Sequence, residues 1–219
     1  MTRRRPVQRR SRERVEAILA AASELIARSG VESLSTRSLS EHSGIPVATI
    51  YRYFEDRDAI IAAYLDRELE AIDEAVEQAM AAVQTVSFRT MTRAVALAHL
   101  RHHQAHPQGV PIWFGSRLSA AVSDRVRELD RRMASRLHAA TRGAGFMEEG
   151  PHFGAGLIVR LFDRTFEHIF RIERPAAEQE AILLDVVEMI SGFMERWATP
   201  AGLEGVSSEE FLEVLRRSR

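Results

Sequence analysis

A helix–turn–helix pattern at residues 35–57 constrains the fold of this chain more than any other feature of its sequence. Ser35 is a good N-cap for a first short helix, and Pro46 suits the first turn of a second. Gly44 lies between them, where a residue without Cβ can adopt positive φ. The apolar positions that would pack the two helices together are Leu39, Ile45, Ile50 and Phe54. These signals predict two helices joined by a tight turn.

Hydroxyl and guanidinium donors are concentrated on the second helix of this pair. They are Thr49, Tyr51, Arg52 and Tyr53. A helix–turn–helix places its second helix in the DNA major groove, while flanking groups contact phosphates. The alternative is an ordinary helical hairpin with no DNA role, but the turn, the caps and the donors all agree with DNA binding. The pattern therefore indicates a DNA-binding protein.

The segment resembles the DNA-binding domain of the tetracycline-repressor (TetR) family, whose pattern is approximately T-x-R-x-I-A-x-x-A-G-V-S-x-G-T-L-Y-x-H-F-x-x-K-x-x-L. The positions that match or substitute conservatively are Ser35, Arg37, Leu39, Gly44, Ile45, Thr49, Ile50, Tyr51, Phe54, Arg57 and Ile60. With the preceding helix, the resemblance covers about a quarter of the chain, and the rest agrees in length and helical character. Three positions depart from the pattern. Pro46 replaces a hydroxyl residue and removes a phosphate contact, Ala48 replaces Gly or Pro, and Tyr53 replaces His but keeps a donor.

The resemblance implies a set of DNA-contacting residues by motif position. They are Ser35, Thr36, Arg37, Val47, Ala48, Thr49, Tyr51, Arg52, Tyr53 and Arg57. We expect Arg37 and Arg52 to read bases, because a guanidinium matches the two acceptors of guanine. Val47 and Ala48 could pack on thymine methyl groups. The hydroxyls and Arg57 would fix the register on phosphates.

Basic residues are concentrated beside the helix–turn–helix. Residues 1–14 hold seven arginines and one glutamate, whereas residues 61–219 hold 19 arginines and 23 acidic residues, a net charge of −4 (19 − 23). A basic arm of this kind can lie along phosphates or enter a minor groove. The alternative is a solvated tail with no DNA role.

Helical periodicity continues through the remaining sequence, so the predicted fold class is all-α. Val15, Ile18, Leu19, Ala22, Leu25 and Ile26 predict a first helix that completes a three-helix domain and ends at Ser29-Gly30. A fourth helix begins near Asp56 and runs to about Val83, and further helices are predicted at 88–105, 111–119, 122–142, 152–173 and 176–198. No β pattern is visible. We predict a basic arm at 1–14, a helix–turn–helix domain at 15–60 and a larger effector-binding and dimerisation domain at 61–219.

The last two long helices have apolar stripes that are wider than a surface helix needs. In the family that the chain resembles, the corresponding helices form a four-helix bundle with a second subunit, and a homodimer suits palindromic DNA. The interface residues predicted on this basis are Leu161, Ile169, Leu183, Val187, Ile190 and Met194. The alternative is that both stripes belong to the core of a monomer.

Aromatic and polar residues in the larger domain are candidates for an effector site, since small-molecule pockets combine apolar walls with a few polar groups. The candidate ligand-binding residues are Phe88, Met91, His99, His103, Trp113, Arg117, Phe162 and Phe166, with Phe114 and Phe146 also considered. Plain core packing is the alternative for each of them. His99 with His103, and His102 with His106, have an i, i+4 spacing that can bind metal, but no cysteine or nearby carboxylate completes a ligand set. We expect no metal and no cofactor, and ligand-facing, pH-sensitive and core roles stay open for these histidines.

Composition excludes several other classes of protein. The chain has no cysteine, which rules out disulfides and thiol catalysis. It has no apolar run of about 18 residues and its N-terminus is charged, so we expect a soluble, cytoplasmic protein with no membrane partner. No phosphate-binding glycine loop, nucleophile elbow or metalloprotease helix is visible, which argues against an enzyme.

The function predicted from the sequence is that of a dimeric, ligand-responsive transcription regulator. The expected partners are a double-stranded, palindromic DNA operator and a small-molecule effector that releases a repressor from it. An activator or an effector-independent regulator of the same fold is the alternative within this class. A scaffold that binds only other proteins is the alternative outside it.

Overall fold

The computed structural model describes residues 4–114, 119–149 and 154–217, and of residues 4–8 it describes the backbone alone. Helices account for most of the described chain. They are α1 (Arg4–Ser29), α2 (Thr36–Ser43), α3 (Val47–Tyr51), α4 (Arg57–Ala81), α5 (Phe88–Ala105), α6 (Val110–Phe114), α7 (Ala120–Gly143), α8 (Gly154–Phe170), α9 (Ala176–Met194), α10 (Pro200–Glu204) and α11 (Ser208–Arg217). Short 3-10 turns lie at Val31–Ser33, Pro107–Gly109 and Glu195–Trp197. The prediction of an all-α fold with an N-terminal helix–turn–helix is confirmed.

The described residues form two compact units. The N-terminal unit takes those within Met1–Glu68 and His106–Arg125, and the C-terminal unit takes those within Leu69–Ala105 and Val126–Arg219. The predicted domain boundary after residue 60 and the observed one after Glu68 both fall inside α4. The described residues within 106–125, which the sequence assigned to the larger domain, cluster with the N-terminal unit instead. That the units act as separate functional domains stays a prediction.

The N-terminal unit has a small apolar core built from α1 to α4. Ile18, Leu39 and Ile50 have no exposed surface, and Phe54 is 7% exposed, so the packing positions predicted for the helix pair are buried as expected. The first helix ends at Ser29, as predicted, but it begins at Arg4. The basic stretch predicted as an arm is therefore helical from Arg4 onward and continuous with α1. Arginine has a high helix propensity, which is consistent with this extension.

The C-terminal unit has its own core, which lies between α4, α5, α8, α9 and α11. Met80, Phe146 and Leu183 have no exposed surface, and Phe146 stacks on Phe211 with ring centroids 5.5 Å apart. Arg89 on α5 donates to both carboxylate oxygens of Glu195 at 2.8 and 2.9 Å. Within the part of the chain that the structure describes, no helix is long and apolar enough to cross a membrane.

The C-terminal unit also contains a two-stranded antiparallel sheet, which was not predicted from the sequence. Strand β1 (Thr85–Val86) pairs with β2 (Val206–Ser207). The preceding Gly205 has φ +92°, and a Cβ there would lie 2.5 Å from Thr85 Cγ2 and 2.8 Å from the Val86 carbonyl oxygen. Helices α10 and α11 were also missed. Two-residue strands are too short for an alternating pattern, and α11 ends close to the chain terminus, where little flanking sequence supports an assignment.

Candidate nucleic-acid interface and ligand cavity

The helix–turn–helix owes its shape to caps at the two ends of α2. The Ser35 hydroxyl accepts from the Ser38 amide at 3.0 Å, and the Ser38 hydroxyl accepts from the Ser35 amide at 2.9 Å, a reciprocal capping box. At the other end Gly44 has φ +69°, and its amide donates to the Ser40 carbonyl at 2.9 Å. Pro46, which was predicted to lie in the first turn of α3, is its N-cap instead, and α3 ends at Tyr51.

The surface formed by α2 and α3 exposes several polar groups. The Arg37 side chain is 87% exposed and lies 3.1 Å from Glu41 Oε1, one helical turn away. Tyr51 is 54% exposed, and its hydroxyl accepts from the Thr36 hydroxyl at 3.2 Å, which ties α2 to α3. A single surface ion pair is weak, so Arg37 can exchange Glu41 for another acceptor at little cost.

Arg52 and Tyr53 form a second polar cluster at the end of α3. The Arg52 guanidinium donates to the Tyr53 hydroxyl at 3.2 Å and lies 5.0 Å from the centroid of its ring. Burial raises the pKa of Tyr53, but hydrogen bonds from Arg52 and Ser11 and the charges of Arg52 and Arg14 outweigh it, and the pKa lies below its ordinary value. Ser11 and Arg14 belong to α1. The basic part of α1 therefore lies beside the end of α3.

Arg57 has a structural role that the motif did not reveal. Its Nη2 donates to the Val31 carbonyl at 2.8 Å, and Glu32 and Asp58 lie 3.8 and 3.9 Å from its guanidinium. These contacts hold the turn between α1 and α2 against the start of α4. A DNA phosphate could contact Arg57 only through guanidinium N–H groups that these contacts do not use.

The ten residues predicted to contact DNA divide into two groups by exposure. Ser35, Arg37, Ala48, Tyr51 and Arg52 are exposed, while Thr36, Val47, Thr49, Tyr53 and Arg57 are half-buried. All ten lie on α2, on α3 or in the segments beside them. None is fully buried, so each retains surface that a ligand could contact.

The C-terminal unit contains a mainly apolar cavity of about 110 Å³ between α4, α5, α7, α8 and α11. Its apolar walls include Phe88, Val95, Ile158, Val159, Phe162 and Phe166. Its polar residues are Asp73, Thr92, His99, Arg136 and Asp163. Thr92 donates its hydroxyl to the Phe88 carbonyl at 2.8 Å and is thereby satisfied within α5. The polar groups that remain to contact a ligand belong to Asp73, His99, Arg136 and Asp163.

His99 is 9% exposed and has a fixed orientation. Its Nδ1 lies 2.9 Å from the Val95 carbonyl oxygen, and its ring stacks on Phe166 with centroids 6.1 Å apart and an interplanar angle of 21°. Desolvation lowers the pKa of His99, against the opposing effects of the Val95 hydrogen bond and the Asp73 charge. The imidazole is therefore neutral near pH 7. Its Nε2 is buried and has no hydrogen-bond partner among the described residues.

An ion pair between Asp73 of α4 and Arg136 of α7 forms part of the cavity wall. The same two residues also line a polar cleft of about 480 Å³ with Glu70, Glu74, Arg132 and Ser135. The pair thus stands where the apolar cavity and the polar cleft meet. Nε of Arg136 is buried and lacks a partner within the described parts of the chain.

Two carboxyl groups near the cavity have raised pKa values. Burial raises the pKa of Asp163 to about 7, with repulsion from Asp130 adding to the effect and Arg164 and Arg160 opposing it. Burial also raises the pKa of Asp130 to about 6, against the charge of Arg160. Because the two carboxyls interact, they titrate as a coupled pair.

Comparison with known proteins connects this geometry to a family. Residues 18–64, which include the whole helix–turn–helix, match the model of "Bacterial regulatory proteins, tetR family".

The chain is thus similar to the TetR family over its helix–turn–helix region.

Two groups of curated relatives are similar to part of the chain. The transcriptional repressor KstR of Mycolicibacterium smegmatis is 34% identical over 68 residues, which cover 31% of this chain and 33% of that protein. The transcriptional regulator BetI of Yersinia pestis is 24% identical over 130 residues, 59% of this chain and 64% of that protein. The matches thus span about a third of one relative and less than two thirds of the other. Both relatives are named as transcription regulators and not as enzymes.

Solved TetR-family structures share the fold over most of the chain. A TetR-family regulator from Syntrophomonas wolfei has a TM-score of 0.67 at 14% identity, covering 83% of this chain and 96% of that one. FadR from Bacillus halodurans, described as a fatty acid degradation regulator, has a TM-score of 0.62 at 14% identity, covering 81% and 97%. Identity this low establishes the fold alone.

The residues predicted to bind a ligand separate into three groups in the structure. Phe88, His99, Phe162 and Phe166 line the cavity. Met91 and His103 are buried in the C-terminal unit beside it, with the His103 ring 5.6 Å from Phe166 and 5.9 Å from Phe170. Trp113 lies in the N-terminal unit, and Arg117 lies outside the described residues.

Apart from His99, the polar residues of the cavity were not predicted to bind a ligand; they are Asp73, Thr92, Arg136 and Asp163. Asp73 follows Ile72 directly on α4, beside the buried positions Leu69, Ile72, Val76 and Met80. A carboxylate so close to a buried apolar stripe could have identified Asp73 as a candidate cavity residue from the sequence. Arg136 gave none, because its pairing with Asp73 joins segments that are distant in sequence. Phe146, considered as a candidate, belongs to the core stack with Phe211 instead.

Five of the six residues predicted for the dimer interface are buried within the single chain. Ile169, Leu183 and Val187 have no exposed surface, and Ile190 and Met194 are 5% and 3% exposed. Their stripes form intramolecular core, so the structure corrects their assignment to a partner-facing surface. Leu161 alone of the six is exposed, at 39%. The other exposed apolar side chains on or next to α8 and α9 are Ile172, Met189 and Phe193.

Proposed function

We propose that this chain is a DNA-binding transcription regulator that acts as a dimeric repressor and responds to a small molecule. The observation that carries the proposal is the capped α2–α3 pair, which exposes Arg37, Tyr51 and Arg52 on one helix–turn–helix. Guanidinium and hydroxyl groups are the donors that read guanine edges and bind phosphates. The repressor name of the relative KstR supports repression over activation.

The basic part of α1 contributes phosphate contacts in this proposal. Arg14 acts on Tyr53 at the end of α3, so positive charge from α1 adds to that of Arg52. Binding that neutralises phosphates releases counterions and weakens as salt rises. Replacing Arg9, Arg10 and Arg12 with glutamine should make the slope of log affinity against log salt shallower, whereas a solvated stretch would leave it unchanged.

The proposed dimer uses the outward faces of α8 and α9. Leu161, Met189 and Phe193 are exposed apolar residues on these helices, and Met189 and Phe193 are one turn apart. A second copy of the chain would cover this surface and place two reading helices on a palindrome. Met189→Arg with Phe193→Arg should give monomers in analytical ultracentrifugation with unchanged helicity, since both positions are exposed in the single chain.

The effector response is proposed to act through α4. This helix carries Asp73 into the cavity wall, and its residues from Arg57 to Glu68 belong to the N-terminal unit. A ligand that binds one position of α4 more tightly than another shifts the population toward that position. The coupling to DNA affinity is then set by that difference in binding free energy.

Selection of binding sites from random DNA duplexes tests the proposal without knowledge of the target gene. We expect the purified chain to enrich a palindromic site and to retard it in a mobility-shift assay. Arg37→Ala with Arg52→Ala should abolish the enrichment. A folded parent protein that enriches no sequence would refute DNA regulation and favour a protein scaffold.

A further inference from the structure

We infer that the cavity of the C-terminal unit binds a small, uncharged and mostly apolar molecule that carries one hydroxyl group, and that His99 Nε2 accepts the hydrogen bond from it. The inference rests on the proposed effector response and specifies the chemistry of the effector. It stands on two unmatched polar atoms of residues that line one mainly apolar cavity.

The first unmatched atom is an acceptor. A backbone carbonyl can only accept, so the 2.9 Å contact with Val95 places the proton of neutral His99 on Nδ1. Nε2 then carries a lone pair. This atom is buried, and no hydrogen-bond donor reaches it from the described residues. A buried polar atom without a partner is costly, so a bound donor at this position is stabilising.

The second unmatched atom is a donor. Nε of Arg136 is buried and unpartnered among the described residues, although its guanidinium pairs with Asp73 through Nη1. His99 of α5 and Arg136 of α7 line the same cavity. The cavity lining therefore offers one unmatched acceptor and one unmatched donor.

A hydroxyl matches either atom, because its single oxygen donates one hydrogen bond and accepts others. An ammonium group has donors only and would leave the Arg136 N–H unmatched. A carboxylate would face the His99 lone pair, and the positive charge of Arg136 is already offset by Asp73. Burial keeps Asp163 of the lining largely protonated below pH 7, so the charge balance of the cavity favours an uncharged ligand there.

The size of the cavity limits the apolar part of the ligand. About 110 Å³ is somewhat smaller than the roughly 150 Å³ apolar cavity that holds a benzene ring in another protein. One ring or a short hydrocarbon chain therefore fits among Phe88, Phe162 and Phe166. A cyclic alcohol or a phenol has the required size and polarity.

A set of nearly isosteric probes tests the inference: cyclohexanol, methylcyclohexane and the cyclohexylammonium ion. Each is titrated into the full chain and into His99→Phe, which keeps a ring for stacking on Phe166 but removes Nε2. We expect cyclohexanol to lose at least about fivefold in affinity in the variant, while methylcyclohexane loses little. Equal changes for the two probes, or tighter binding of cyclohexylammonium than of cyclohexanol to the parent, would overturn the inference.

A measurement on the parent protein covers the case in which His99→Phe does not fold. Nitrogen-15 NMR of the imidazole rings reports which nitrogen of each histidine carries the proton. We expect His99 Nε2 to be unprotonated at pH 7 and its resonance to shift when cyclohexanol is added. A proton on Nε2, or no shift at saturating cyclohexanol, contradicts the assignment.

DNA binding separates this inference from the proposed function. The duplex enriched from random sequences is mixed with the parent and with His99→Phe, and cyclohexanol is added to both. Release of the parent but not of the variant supports both proposals. If the parent binds the duplex but no probe enters the cavity, the ligand inference fails and DNA binding stands. If cyclohexanol binds through His99 but the parent enriches no duplex, DNA regulation fails and the ligand chemistry stands.

Discussion

The helix–turn–helix and the ligand cavity are built from stretches of sequence of very different length. Residues 35–57 alone contain the caps, the turn and the exposed donors of the candidate DNA surface. The cavity instead combines Asp73, His99, Arg136 and Phe166 with Leu215 near the end of the chain. Local signals can specify the first surface, whereas the second exists only when five helices pack together. The comparison predicts that mutations in the two regions fail in different ways.

The largest effect on folding stability is expected at the residues that were predicted to form the dimer interface but are buried in the core. Val187 has no exposed surface, so Val187→Glu buries an unpaired charge and should cost more than about 3 kcal/mol of folding free energy. Leu203→Glu on α10, at a position that is 52% exposed and outside the proposed dimer surface, is the matched control and should change the folding of the single chain by less than about 0.5 kcal/mol. Chemical denaturation at one protein concentration compares them. Equal stability of the two variants would show that Val187 is exposed and not part of the core.

A pH-dependent effect is expected from the cavity region. The pKa of Asp163 is raised from an ordinary 3.8 to about 7, so the folded state binds the proton more tightly than the unfolded state. The stability of the parent should therefore fall as pH rises from about 4 to about 7, by at most about 4 kcal/mol. Asp163→Asn removes this dependence and should be more stable than the parent at pH 8, with a smaller difference at pH 5. Thermal unfolding at the two pH values measures it, and a difference that is the same at both would contradict the raised pKa.

Replacing two arginines of the helix–turn–helix should affect two different properties, DNA affinity in one case and folding stability in the other. Arg37→Ala should weaken binding to the selected duplex by about 1–3 kcal/mol and relax base preference at one position of each half-site. Arg57→Ala removes the hydrogen bond to Val31 and should lower folding stability by about 1.5–3 kcal/mol. Fluorescence anisotropy and thermal unfolding on both variants distinguish a reading role from a structural one. If Arg57→Ala keeps the stability of the parent but binds all DNA sequences more weakly, Arg57 contacts phosphate and has no structural role.

The smallest expected effect concerns the turn itself. Gly44→Ala forces a Cβ into φ +69° and should cost about 1–2 kcal/mol, although no atom lies within 4 Å of the new Cβ. Gly156→Ala on α8 also meets no neighbour and has no positive φ, so it should not destabilise the chain. Chemical denaturation checks both changes. A Gly156→Ala loss as large as that of Gly44→Ala would mean that backbone conformation is not what limits Gly44.

Prediction from the sequence succeeded wherever neighbouring residues carry the information. The Ser35 cap, the Gly44 turn, the buried Ile50 and the bounds of α5 all follow from short-range periodicity and capping. It failed for the short strands, which need partners more than a hundred residues apart, and for the role of Arg57, whose acceptor Val31 lies on a different element. Side-chain hydrogen bonds between distant segments leave no periodic trace in a sequence.

The apolar stripe of α9 shows what the sequence by itself determined about this protein and what the tertiary structure decided. The spacing of Leu183, Val187 and Ile190 determined that a helix forms and that one of its faces avoids water. Only the packed fold decided that this face meets α5 and α8 of the same chain, because a stripe records hydrophobicity and not the identity of its partner. The same reason applies to His99. Its sequence position placed it on a helix, but the packing of Phe166 and the contact with Val95 left Nε2 as the unmatched acceptor of the cavity.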